Sequence, residues 1–217
     1  MIGARLSGWI ALVAAMSALN YYSRFADEST SSTRDAVYSY STFVSGLVLY
    51  VLIIGIVFAI AVDRWDLFAL RPVALKTSGA VAATVTLLTF AWEIGVGFLP
   101  IENPGSEQGL TPTNWEPAHA GAFAANCVLF AIVAPIIEEL TFRGVGQSLL
   151  GFLGRWPSIV LVGVAFGLWH GLVEALIVLV PFGIALAYLR DRTRSVYPGM
   201  VVHALFNGAA LAVSVLS

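Results

Sequence analysis

Residues 127–143 have the sequence CVLFAIVAPIIEELTFR, in which two adjacent glutamates, Glu138 and Glu139, follow directly on an apolar run. An ionised side chain at the centre of a membrane helix costs roughly 2.5 to 3.5 kcal/mol even on the milder insertion scales. A pair of carboxylates in such a place therefore indicates a function. The run predicts a membrane helix, and the acids predict a functional site on it.

The spacing of the charges divides the two glutamates between different roles. On a helix, Glu139 and Arg143 are four residues apart and lie on one face, so they can form an ion pair. Glu138 is rotated away from Glu139 by about 100°. We therefore predict that Glu139 is a structural acid neutralised by Arg143, and that Glu138 stays free as the reactive acid.

The composition indicates a protein that is largely embedded in lipid. Of the 217 residues, 59% are hydrophobic and only 11% are charged, against about 25% charged in a soluble domain. A net charge of −2 with eleven basic residues gives no field suited to nucleic acid, so nucleic acid is not expected as a partner. The single cysteine, Cys127, excludes an intramolecular disulfide and any multi-cysteine metal site.

Seven apolar runs suited to membrane helices follow one another along the chain. They cover residues 6–22, 43–62, 74–98, 118–153, 157–173, 174–190 and 197–216. We predict an all-α, polytopic membrane helix bundle of about seven transmembrane helices, with residues 1–217 forming a single integral membrane domain. The first run also fits a cleaved signal sequence, because it follows Arg5 and contains small residues. A membrane helix is the favoured interpretation.

The distribution of Lys and Arg predicts the orientation of this bundle. With the amino terminus in the cytoplasm, nine of the eleven basic residues fall on the cytoplasmic side, and only Arg24 and Arg34 fall outside. The loop 99–117 carries acids and no basic residue, and it also falls outside. We expect an integral protein of the cell membrane, with the lipid bilayer as a partner.

The fourth and fifth runs predict an antiparallel hairpin around the turn Gly154-Arg155-Trp156-Pro157. Glu138 lies sixteen residues before Gly154 and His170 lies sixteen residues after it, so the hairpin brings the two side chains to one level. A buried glutamate beside a neutral imidazole is suited to activating water. Pro135 is expected to kink the same helix.

Two further motifs, Phe166-x-x-x-His170 and His203-x-x-x-Asn207, each place a histidine and a companion on one helical face. His203 and Asn207 both supply side-chain donors, and neither has an acid beside it that would make it the base. This is the chemistry of an oxyanion hole. Together with Glu138, the motifs indicate acyl hydrolysis.

These motifs resemble those of the CPBP family of intramembrane proteases, also called the Abi family, which includes the CAAX prenyl endopeptidase and bacteriocin-immunity proteins. The family's patterns Glu-Glu-x-x-x-Arg, Phe-x-x-x-His and His-x-x-x-Asn/Asp occur here in that order. The resemblance implies a catalytic core at residues 118–210. The roles that it implies are activation of water by Glu138 and His170, stabilisation of the oxyanion by His203 and Asn207, and support by Glu139, Arg143 and Phe166.

The function expected from the sequence is that of an intramembrane endopeptidase. It would hydrolyse a peptide bond of a membrane-associated protein or peptide, in a cavity open to the cytoplasmic side and without a covalent intermediate. No cofactor and no metal are expected. The sequence motifs do not specify the substrate, its prenylation or the number of subunits.

Two alternatives stay open at this point. The first is a zinc-dependent membrane protease with His170, His203 and Glu138 as ligands. The second is a transporter or an immunity protein that binds a membrane peptide without cutting it. Two other acids have open roles, since Glu93 is a lone intramembrane acid and Glu174 either orients His170 or lies in a tight turn, with the turn favoured.

Overall fold

A computed structural model of the protein describes residues 2–26, 33–99 and 115–216. Its helices are α1 (Ile2–Ala26), α2 (Tyr40–Ile60), α3 (Leu75–Val96), α4 (Ala120–Val128), α5 (Ala134–Glu139), α6 (Gln147–Leu150), α7 (Arg155–Trp169), α8 (Leu176–Thr193) and α9 (Tyr197–Leu216). Within these residues there is no strand, so the all-α prediction is confirmed. The acidic loop positions Glu102 and Glu107 lie outside the described residues.

Helices α4, α5 and α6 belong to one long helical stretch, Pro117–Leu153, which we call the central helix. With α1 to α3 and α7 to α9, it makes, in the part of the chain that the structure describes, the seven helices that the apolar runs predict. Among the described residues, four helices are long and apolar enough to cross a membrane by themselves: those at Ile2–Ala26, Tyr40–Ile60, Ser78–Val96 and Pro117–Leu153. Of the other helices, α7 has 15 residues and α8 carries Arg190 and Arg192 in its last turn.

Two π-helical segments interrupt the central helix, at Leu129–Val133 and Leu140–Gly146, and α5 lies between them. Each π-helical turn inserts an extra residue, and such segments are frequent at functional sites. The first segment is followed by Pro135 in the first turn of α5. The second contains Arg143. Both glutamates therefore lie at the carboxyl end of a short α-helical piece whose two ends depart from regular geometry.

Helix α1 packs deeply against the second π-helical segment. The Trp9 side chain is 3% exposed, and its Nε1 donates a hydrogen bond to the carbonyl of Thr141 at 2.9 Å. Its ring meets that of Phe142 edge to face, with centroids 6.2 Å apart. Farther along α1, Asn20 Nδ2 donates to the carbonyl of Trp169 at 2.6 Å. These contacts join α1 to the central helix and to α7.

The central helix and α7 form the predicted hairpin, which turns at Gly154 with φ of +93°. Helix α8 then packs on α7 along a face that contains Gly183 and Ala187, both buried. We call this face the packing seam, since a Cβ added at Gly183 would lie 2.7 Å from the carbonyl oxygen of Gly163 on α7. The seam also supplies acceptors, because the carbonyl of Gly183 accepts from Arg143 and that of Ala187 accepts from Gln147.

Candidate active site

The predicted ion pair between Glu139 and Arg143 is present at the centre of the bundle. Arg143 Nη1 lies 2.8 Å from Glu139 Oε1, and both side chains are fully buried. The remaining donors of Arg143 are directed at α8 and α7. Its Nη2 donates to the carbonyl of Gly183 at 3.0 Å, and its guanidinium carbon lies 4.3 Å from the centre of the Phe166 ring. Arg143 therefore ties the central helix to both neighbouring helices.

The other glutamate, Glu138, is held by a residue that the motifs do not include. The hydroxyl of Tyr50 on α2 donates to Glu138 Oε1 at 3.2 Å. The second oxygen of Glu138, Oε2, lies 3.7 Å from Nε2 of His203. In the described residues, Glu138 forms no ion pair with Arg143, but a phenol from another helix reaches it. Its side chain is 5% exposed.

His203 lies between the two carboxylates. Its Nδ1 donates to Glu139 Oε1 at 3.2 Å, while its Nε2 faces Glu138 Oε2. The expectation that His203 has no neighbouring acid is wrong. No spacing rule reveals this contact, because 64 residues separate His203 from Glu139 and only the packing of α9 on the central helix joins them.

Aromatic rings fix the orientation of the His203 imidazole. The rings of Phe166 on α7 and Phe182 on α8 meet it edge to face, with centroids at 5.5 and 5.2 Å. Phe166 also meets the His170 ring at 4.8 Å. The single Phe166 ring thus contacts both histidines and the guanidinium of Arg143, which agrees with a supporting position.

His170 is located at the carboxyl end of α7. Its Nδ1 lies 2.8 Å from the carbonyl oxygen of Phe166, which can only accept, so Nδ1 carries the proton. Nε2 is then the basic nitrogen of the neutral ring. Glu138 and His203 both lie close enough to His170 for Coulomb interactions. In the part of the chain that the structure describes, no direct hydrogen bond joins Glu138 to His170.

Asn207 lies one turn beyond His203 on α9, and its side chain already has a partner. Its Nδ2 donates to the carbonyl of Phe130 at 2.9 Å. An amide nitrogen carries two hydrogens, so one donor of Asn207 is used for this contact and one is left. The structure therefore gives Asn207 a structural contact in addition to the oxyanion role predicted for it, which stays a prediction.

Gly199, at the start of α9, is a close neighbour of the site that the motifs do not include. A Cβ atom added at Gly199 would lie 2.5 Å from Glu139 Oε2, so only glycine lets the backbone approach the carboxylate this closely. That oxygen is buried and has no hydrogen-bond partner in the described residues. Tyr50 carries no sequence signal for the site, because it lies on another helix, far along the chain from every motif residue. Gly199 lies one helical turn before His203, but a glycine has no functional group that would mark it as part of a site.

The remaining polar candidates are away from this cluster or are not grouped. Glu174 lies in the turn between α7 and α8, as favoured from the sequence. Glu93 is half-buried in α3. Among residues 2–26, 33–99 and 115–216, no three His, Cys, Asp or Glu side chains are grouped so that they could hold a metal ion. The zinc ligand set of His170, His203 and Glu138 therefore does not fit this geometry.

The fold and the site together define a polytopic helical membrane protein with a buried site of two acids, two histidines and an arginine, assembled by the central helix, α7 and α9. Residues 120–209 match the family model described as Type II CAAX prenyl endopeptidase Rce1-like. This match confirms the family resemblance over that segment, which lies within the predicted core 118–210. No curated protein and no solved structure was found to match the chain.

Proposed function

We propose that this protein is an intramembrane endopeptidase that hydrolyses a peptide bond of a membrane-associated protein or peptide. The observation that carries the proposal is the meeting of Glu138 with His203 and His170, which come from three different helices of the segment matched to a protease family. Carboxylate and imidazole groups that lie close together in a buried site can act as general acids and bases.

The proposed first step is the activation of a water molecule by Glu138. Oε2 takes a proton from water while the oxygen of that water bonds to the carbonyl carbon of the substrate, and the carbonyl oxygen becomes an oxyanion. His170 presents its basic Nε2 and orients the water. In the second step Glu138 returns the proton to the leaving nitrogen, the carbon–nitrogen bond breaks, and a carboxyl group and an amine are released.

The contacts of His203 support it as the oxyanion donor. His203 Nδ1 is committed to Glu139, so a hydrogen bond to the oxyanion has to come from Nε2. The second hydrogen of the Asn207 amide can add another donor.

The family match and the charge distribution support a substrate class and a side of access. The CAAX endopeptidase description of the family model supports a substrate at the membrane surface, and a prenylated carboxyl-terminal peptide is the first one to test. The distribution of Lys and Arg supports a cavity open to the cytoplasmic side of the cell membrane.

The test is cleavage by protein purified into lipid nanodiscs, with prenylated and unprenylated peptides as substrates and mass spectrometry of the products. Glu138→Gln keeps the shape of the side chain and removes the base, so cleavage should fall at least 10³-fold while substrate binding persists. Glu93→Gln is the matched control, because it neutralises a membrane acid away from the site.

The same experiment separates the proposal from the alternative of a non-catalytic peptide binder. Cleavage by Glu138→Gln at the wild-type rate would remove the proposed base. Binding of peptides by the wild type without any product, for every peptide tried, would favour the binder. Recovery of uncut partners from native membranes on Glu138→Gln protein would then identify the natural substrate.

A further inference from the structure

Helix α2 lies outside the segment matched to the protease family, yet it contributes a contact to the central acid. Tyr50 is half-buried, packs against the bundle core, and donates from its hydroxyl to Glu138 Oε1 at 3.2 Å. Residues 50 and 138 are joined only through the packing of α2 on the central helix. Because Tyr50 belongs to α2 and Glu138 to the central helix, the position of α2 determines whether this hydrogen bond can form.

Three contacts, at successive positions along the chain, hold α2 against the central helix. At its amino-terminal end, Asn126 Nδ2 donates to the carbonyls of Val37 and Ser39, both at 2.9 Å. One turn before Tyr50, Gly46 approaches the central helix so closely that an added Cβ would lie 2.6 Å from the side chain of Leu129. The hydroxyl of Tyr50 is the third contact. The register of the two helices therefore places this hydroxyl at Glu138.

We propose that Tyr50 is a positioning residue which assigns different tasks to the two oxygens of Glu138. Its hydroxyl anchors Oε1, and this leaves Oε2 directed at His203 as the oxygen that exchanges a proton with water. The inference rests on the proposed hydrolytic function of the site. It adds Tyr50, which lies outside the segment matched to the family, to the residues of the site. It also assigns the role of base to one atom, Oε2 of Glu138.

The physical reason is the symmetry of a carboxylate. Without an anchor, its end can rotate about the terminal bond, whose energy profile is broad, and either oxygen can then face the substrate. A hydroxyl donor to one oxygen removes this freedom and stabilises the ionised form. Glu139 faces Nδ1 of His203 and Glu138 faces its Nε2, so only a fixed Glu138 carboxylate keeps Oε2 at that second nitrogen. Tyr50 therefore keeps Glu138 aligned.

The first test compares Tyr50→Phe with Tyr21→Phe, in nanodiscs, with the peptide that the wild type cleaves. Tyr21 also donates its hydroxyl, to the carbonyl of Leu172 at 3.1 Å, but away from Glu138. For Tyr50→Phe we expect kcat to fall about tenfold or more, as for loss of a hydrogen bond to a charged group, with KM within about twofold. Tyr21→Phe should leave both kcat and KM in place.

The second test moves α2 without touching the phenol. Gly46→Ala puts a methyl group against the fully buried side chain of Leu129, and we expect the resulting shift of α2 to produce the same change in kcat as Tyr50→Phe. Combining Gly46→Ala with Tyr50→Phe should add little further loss, because both act through one contact. Gly55→Ala is the matched control on the same helix, since an added Cβ there has open space around it.

Outcomes that overturn this inference differ from those that overturn the proposed function. A kcat of Tyr50→Phe equal to that of Tyr21→Phe, with Glu138→Gln inactive, overturns the role of Tyr50 and keeps the base. Full activity of Glu138→Gln overturns the base itself. For a chain that cleaves no peptide, a double-mutant cycle of Tyr50→Phe and Glu138→Gln on thermal unfolding still measures the contact, and additive changes there would overturn it.

Discussion

The side-chain amide of Asn207 on α9 donates a hydrogen bond to the main-chain carbonyl of Phe130 in the central helix, with Nδ2 2.9 Å from the oxygen. In an α-helix this carbonyl would accept from the N–H of Ala134, but that N–H bonds to Leu129 in the first π-helical segment. In a π-helix it would accept from residue 135, which is Pro135 and has no N–H. Asn207 therefore supplies the missing donor.

This contact lets the structural and catalytic roles of Asn207 be separated. We expect Asn207→Ala to lower the melting temperature and to lower turnover on the order of 10²–10³, with substrate binding changed much less. Pro135→Ala restores an N–H that can bond to Phe130. In that background, Asn207→Ala should cost less stability and should still reduce turnover. If Asn207→Ala reduced neither the stability nor the turnover in the Pro135→Ala background, the oxyanion assignment would be contradicted.

The ion pair of Glu139 and Arg143 predicts a difference between the two glutamates. Glu139→Ala leaves a fully buried guanidinium without its carboxylate, so we expect about 3–5 kcal/mol less stability in addition to lost activity. Glu138→Ala removes an acid that has no such partner, and the protein should stay folded while cleavage is lost. Melting curves in detergent and turnover of both variants check this. Equal destabilisation by the two changes would contradict the division of roles.

The close approach of Gly199 to Glu139 predicts opposite effects at two glycines of α9. Gly199→Ala puts a methyl group against the buried Oε2 and should disturb the Glu139 carboxylate, so that turnover falls at least tenfold and the melting temperature drops. Gly208→Ala, on the same helix, meets only the Cβ of Ala131 at 3.9 Å. There the better helix propensity of alanine should raise stability by up to about 1 kcal/mol. A wild-type rate for Gly199→Ala would show that the carboxylate can move freely.

The orientation in the membrane predicts which engineered cysteines react from each side. In a Cys127→Ala background, cysteines at the exposed positions Arg71 and Arg192 should be labelled from the cytoplasm. A cysteine at position 107 should be labelled from outside. Impermeant thiol reagents applied to intact cells and to inverted vesicles make the comparison. The reverse pattern would place the cavity on the outer side and exclude cytoplasmic tails as direct substrates.

The metal prediction concerns the purified, active protein. We expect elemental analysis to find no stoichiometric zinc and activity to survive chelators, because a water molecule activated by glutamate and histidine needs no Lewis acid. One metal ion per chain, lost together with activity and restored with it, would support the zinc alternative. Glu138→Gln distinguishes the roles further, since a ligand change would release the metal as well.

The local features of this site were predictable from the sequence, and the contacts between helices were not. Apolar runs of membrane length predicted the seven helices, and the i,i+4 rule predicted the pair of Glu139 and Arg143, because both depend only on neighbours along one helix. The hairpin count predicted that His170 lies near Glu138, and the two groups are close enough for a Coulomb interaction although no hydrogen bond joins them in the described residues. The π-helical segments were not predicted, because the spacing rules assume a regular α-helix.

The sequence by itself determined an all-α membrane protein with two buried acids and two histidines in a fixed order, because hydrophobicity and helical periodicity act locally. Only the tertiary structure decided that His203 lies between both carboxylates, that Tyr50 reaches Glu138 and that Asn207 bonds to Phe130. These contacts depend on the register and rotation of packed helices. Register is set by the sum of many side-chain contacts, such as that of Gly46 with Leu129, and no single spacing along the chain encodes that sum.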